Sequence, residues 1–132
     1  MGVGALALGV LVGCGGGAGW SPTQADPVND NQSYMIGELK RIEGRMGIGE
    51  FVALFEKPPA ETYAGWANCT PGGSRPPYVV GFNKDYVAGL KDYTYMTALV
   101  AHEMCHHYVV NHDRGQCWDE VAAEACAGRY VR

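Results

Sequence analysis

Residues 102–106 read His-Glu-Met-Cys-His. On a helix, positions four apart lie on one face, about 40° apart around the axis. The imidazoles of His102 and His106 can therefore converge on one cation. Glu103 is about 100° from His102, poorly placed as a third ligand but well placed to reach a water on the metal. Burying two histidines and a glutamate in an apolar helix is costly without a partner such as a metal ion. His107 lies about 100° round from His106 and is expected at the surface. His112 is expected in an exposed loop or at the cleft. Cys105 reads as a half-cystine or a buried thiol in preference to a thiolate ligand.

A catalytic zinc takes three protein ligands and keeps one position open. The third must come from another element, and the chain offers Asp113, Asp119, Glu120 and Glu124 after the motif. "EVAAEACA", residues 120–127, resembles the glutamate-helix pattern of the gluzincin metallopeptidases, a Glu followed by small residues and an Asp or Asn four positions on. The resemblance implies Glu120 as third ligand and Ala123 as a point of close helix approach. It implies Glu124, where the pattern has Asp or Asn, as the residue that orients a ligand histidine.

Over residues 31–132 the chain is similar to the minimal gluzincins (minigluzincins) and to the peptidase core of phage-type anti-repressor-cleaving proteins. That similarity implies a zincin-like fold with one Zn2+ per chain. It implies hydrolysis of peptide bonds by a metal-activated water, with Glu103 as general base. It also implies that the strand before the metal helix, Tyr78–Phe82, holds a peptide or protein substrate by β-augmentation. Such sites carry an oxyanion helper, for which Tyr108, His112 and Tyr130 are the candidates. The alternative is a non-catalytic envelope lipoprotein that binds a metal or partner through a degenerate peptidase fold.

The elements that must position these groups predict an α+β domain. It has a small antiparallel or mixed three-stranded sheet, an N-terminal helix, a buried HExxH helix and a C-terminal glutamate helix. Apolar residues three and four apart predict a helix over 31–47 with Ser33 as N-cap. "FVALF" (51–55), "TYAGWANC" (62–69) and "YVVGF" (78–82) read as strands, the last two a hairpin around the turn residues 70–77. Pro76 and Pro77 mark the third strand as an edge strand. Residues 83–93 read as a short helix or turn, Thr94 or Tyr95 to Val110 as a long buried helix, 111–116 as a loop, and 117–131 as a last helix with Trp118 in the core. Tyr63, Trp66, Tyr93 and Tyr95 pack or line a groove.

The 132 residues suggest one domain. The net charge of −4 and scattered basic residues argue against nucleic acid as a partner. The apolar run 3–12 is too short to span a bilayer, which takes ~20 residues, but suits a secretory signal. "LVGC", residues 11–14, resembles a bacterial lipobox, which implies a lipid on Cys14. Residues 1–14 would then be a lipoprotein signal, 15–30 a flexible tether and 31–132 the peptidase domain. The protein would sit at the cell envelope and touch the membrane through its lipid alone; without the lipobox it would be cytoplasmic. The first 39 residues hold no Lys or Arg, so only the amino terminus charges the leader. Cys69, Cys105, Cys117 and Cys126 suggest two disulfides, with three possible pairings. The few residues after Cys126 predict a shallow, open cleft.

Overall fold

Each helix begins at a side chain that can accept from its exposed N–H groups. The computed structural model describes residues 22–60, 62–113 and 116–132. Cys14, the signal and most of the expected tether lie outside the described residues. Helix α1 (Asp30–Met46) is capped by Asn29, whose side chain accepts from Gln32 N at 2.9 Å. The expected cap, Ser33, is already inside the helix and donates its N–H to Asn29 O. Met35, Leu39, Ile42 and Met46 form the buried stripe, and Gly47 ends the helix at φ 69. Helix α2 (Lys84–Ala88) is capped by Asn83. The long helix α3 (Tyr93–His112) is capped by Asp92 and absorbs residues 111 and 112, expected as loop. Helix α4 (Glu120–Ala127) is shorter than expected, because Asp119 caps it by accepting from Ala122 N. Trp118 therefore precedes α4 and is 51 % exposed, not core.

Strands β1 (Phe51–Glu56), β2 (Gly65–Ala67) and β3 (Tyr78–Asn83) form one mixed sheet in the order β1-β3-β2. β1 and β3 are parallel, with Phe51 opposite Tyr78; β2 and β3 are antiparallel, with Trp66 opposite Gly81. The protein is thus α+β, with four helices and a three-stranded mixed sheet among the described residues.

The expected edge strand, Tyr78–Phe82, is the central one. Pro76 and Pro77 do not disrupt its ladder because pairing starts after them, at Tyr78, whose N–H donates to Glu50 O at 2.8 Å. Gly81 is needed there, since the Trp66 indole fills the space a side chain would take.

The true edges are β1 and β2. Side chains cover part of the β1 edge. The Gln24 amide donates to Ala53 O and accepts from Ala53 N, both at 2.8 Å. Lys40 donates to Phe51 O and Glu43 accepts from Phe51 N.

The core joins Met35, Leu39 and Ile42 of α1 to Phe51, Val80 and Phe82 of the sheet and to Leu99, Val100 and Met104 of α3. Disulfides Cys69–Cys117 and Cys105–Cys126 resolve the pairing left open by the sequence. Two disulfides suggest an oxidising, exported environment. Among the described residues no helix is long and apolar enough to cross a membrane.

Candidate metal centre

The middle of α3 carries the chemistry into the interior. His102 is 4 % exposed, and Glu103 and His106 are fully buried. α4 packs against α3, and its Ala123 is fully buried. This approach brings Glu120 to the two histidines. His102 Nε2 lies 2.7 Å from Glu120 Oε1, and His106 Nε2 lies 3.3 Å from both His102 Nε2 and Glu120 Oε1. Three donor atoms thus point at one another and together could hold a metal ion. Ligands 2.0–2.1 Å from a tetrahedral zinc stand ~3.3–3.4 Å apart. Two of the three separations already match that edge, so the donor set fits such an ion; the third is short because histidine and carboxylate hydrogen-bond directly.

The surrounding groups fix the protons. Glu124 Oε1 meets His102 Nδ1 at 2.5 Å. That contact keeps a proton on Nδ1 and turns Nε2 toward Glu120. Burial pushes the His102 imidazole down, but the Glu120 hydrogen bond, the Glu103 charge and the Glu124 hydrogen bond outweigh it and raise it to about 9. Burial likewise raises Glu120, but bonds from His102 and His106 hold its carboxyl well below the usual carboxylate range. In the metal-free site a proton shared among these groups offsets their negative charge.

Glu103 is different. Both its carboxylate oxygens are buried with no hydrogen-bond partner. Burial raises it to about 7, against the pull of His106 and His102. A buried carboxyl with free oxygens beside a donor cluster marks a functional position more than a structural one. Strand β2 presses on it: a Cβ at Gly65 would stand 3.1 Å from Glu103 Cγ and Oε2. Gly65 was not singled out from sequence, although a glycine inside a strand signals close approach by another group.

The remaining candidates separate. His107, expected at the surface, is fully buried. Its ring bonds Val79 O at 2.9 Å through Nε2 and meets Ser74 Oγ at 3.1 Å through Nδ1. It turns away from the ligands toward the sheet and clamps the 70–77 turn to α3. Burial lowers it to about 4, despite the Val79 bond.

Tyr108, His112 and Tyr130 pack with one another. Tyr108 is about 200° round α3 from His106, stacks on His112 at 5.2 Å and packs against Tyr130 at 6.1 Å. Arg129 lies over the Tyr108 ring and Arg45 over that of Tyr130. This aromatic cluster staples residues 129–130 to α1 and α3. Tyr95, seven residues before His102, shares that residue's helix face to within about 20°, and its hydroxyl lies 2.9 Å from that of Tyr86. A cavity of about 340 Å³ bordered by Val28, Ala53, Phe55 and Lys84 lies along the β1 edge and contains none of the three ligands.

No protein-family model, curated protein or solved structure matches the chain. The fold and the site define a small, disulfide-bonded α+β protein whose last two helices, α3 and α4, bring together a His-His-Glu group able to hold a metal ion.

Proposed function

We propose that the protein is a zinc-dependent endopeptidase with a zincin-like fold, anchored at the cell envelope through Cys14. The observation that carries this reading is the convergence of His102 Nε2, His106 Nε2 and Glu120 Oε1 beside the buried, unpartnered carboxylate of Glu103. A zinc ion held by those three groups would acidify a water and polarise a carbonyl.

The chain's own residues supply the rest. Glu103, poised near neutrality, takes the proton of the attacking water and passes it to the leaving amine. Glu124 keeps the Nδ1 proton on His102, which would leave the Nε2 lone pair available to a metal ion.

The substrate is an extended peptide. The expected binding strand, β3, is the central one of the sheet, and β2, which reaches Glu103 through Gly65, is buried along its whole length, so the peptide is held by groups other than these two strand edges.

Zinc content and endopeptidase activity of the wild type and Glu103→Gln test the assignment. One zinc per chain in both, chelator-sensitive cleavage in the wild type and none in Glu103→Gln are expected. Full activity in the variant, or no zinc in either, sinks it. Zinc without cleavage leaves the non-catalytic metal-binding reading.

A further inference from the structure

We propose that the metal centre assembles only in the oxidised chain, because the Cys105–Cys126 disulfide positions Glu120 against His102 and His106. The proposal rests on the metal reading above.

The third ligand comes from a helix that cannot hold itself in place. α4 has eight residues, short of the ~12–15 at which an isolated helix is even marginal. Its buried side chains are Ala123, Cys126 and Ala127, while Val121 is 82 % exposed. Apart from sulfur, the helix buries two methyl groups. Beyond those methyls it is held to α3 by the hydrogen bonds of Glu120 and Glu124 to one imidazole, polar contacts that depend on the shared proton and that a bound metal ion would displace at Glu120.

Covalent bonds do what packing does not. Cys105 lies between the two ligand histidines on α3, and Cys126 lies two residues past Glu124 on α4. Their disulfide, with Cα atoms 5.9 Å apart, joins the two ligand-bearing helices beside the ligands. The second disulfide fixes Cys117, three residues before Glu120, to Cys69, just past β2. α4 is therefore fastened at both ends. The chemistry is a thiol–disulfide exchange: Cys105 and Cys126 each give up a proton, the S–S bond forms, and two electrons pass to a disulfide oxidant that leaves as two thiols. All four half-cystines are buried, so the gate acts once, as the chain folds, and not as a reversible switch. A chain still in a reducing compartment would carry the histidine pair without its third ligand.

The test is a double-mutant cycle in zinc affinity, read by competition with a chromophoric chelator, with Cys105→Ala/Cys126→Ala and Glu120→Gln as its two arms. Loss of the cross-link is expected to weaken zinc binding about 10- to 100-fold. Glu120→Gln is expected to cost that much in the cross-linked chain and almost nothing in the uncross-linked one. Additive costs, or unchanged affinity without the cross-link, would overturn the proposal. Amide exchange of the zinc-free proteins is the second measurement. The uncross-linked variant should lose protection in α4 and keep it in α3. Equal α4 protection in both proteins, or a loss that spreads through α3, would overturn it as well. An oxidised wild type that takes no zinc defeats the metal reading, and the exchange experiment still decides whether the cross-link holds the glutamate helix.

Discussion

Replacing Glu103 with Gln should make the metal-free protein more stable as well as inert, and the gain should depend on pH. The Glu103 carboxyl is fully buried, and burial raises it from 4.5 to about 7. A carboxyl raised on folding binds its proton more tightly in the folded chain. Stability is therefore lost as pH rises from the unfolded value through the folded one, and stays lost above it. At about 1.4 kcal/mol per pH unit, the interval from 4.5 to about 7 corresponds to about 3 kcal/mol. Glutamine keeps the shape of the protonated acid and cannot ionise, so it removes this dependence. Urea unfolding in the presence of a chelator is the assay. The two proteins should have similar stability near pH 4.5, and the variant should lead by about 3 kcal/mol near pH 8. With zinc restored, cleavage should fall by about 10²- to 10⁴-fold. A gain of equal size at both pH values, or a loss near pH 8, would refute the claim that an uncompensated carboxylate is buried here.

Three other perturbations probe the neighbours of the site. The buried, neutral His107 has its value lowered from 6.5 to about 4, so its contribution is complete above 6.5 and lost as pH falls toward 4; thermal melts of His107→Gln should show a flatter acid limb, and identical limbs would contradict the burial argument. Gly65→Ala forces a methyl to 3.1 Å from Glu103 and Phe82 and should cost about 1–3 kcal/mol, lowering Tm by ~4–8 °C per kcal/mol; an unchanged Tm would mean that β2 does not press on Glu103. Glu124→Ala removes the Nδ1 partner of His102 and should weaken zinc binding about 10- to 100-fold, measured by chelator competition, with wild-type affinity counting against the orienting role.

How much of this was legible beforehand depended on how local each relation is. The His102–His106 pair was readable because the helix itself sets a four-residue spacing. The apolar run from Met96 to Ala101 correctly announced a buried helix. Glu120 and Glu124 were reached by likeness to a helix pattern, and their arrival beside His102 depends on α4 packing against α3, which no local signal encodes. The central place of β3 was hidden for a related reason. Its parallel partner β1 is reached by a crossover, and two prolines just ahead of Tyr78 read as an edge signal although the ladder starts beyond them. His107 was misjudged because its partners, Val79 and Ser74, come from 28 and 33 residues earlier in the chain. Ser33 lost the cap of α1 to Asn29, another small polar residue four positions upstream that was equally able to accept.

The asymmetry of the sheet has a consequence for self-association. A sheet with two bare edges can add neighbours on both sides and polymerise without limit. Here the Gln24 amide, shaped like a peptide group, occupies Ala53 on one edge, with Lys40 and Glu43 beside it. On the other side β2 is short and buried over all three of its residues. The two edges are therefore closed to a second copy by different means: side chains bonded to the ladder on β1, burial on β2.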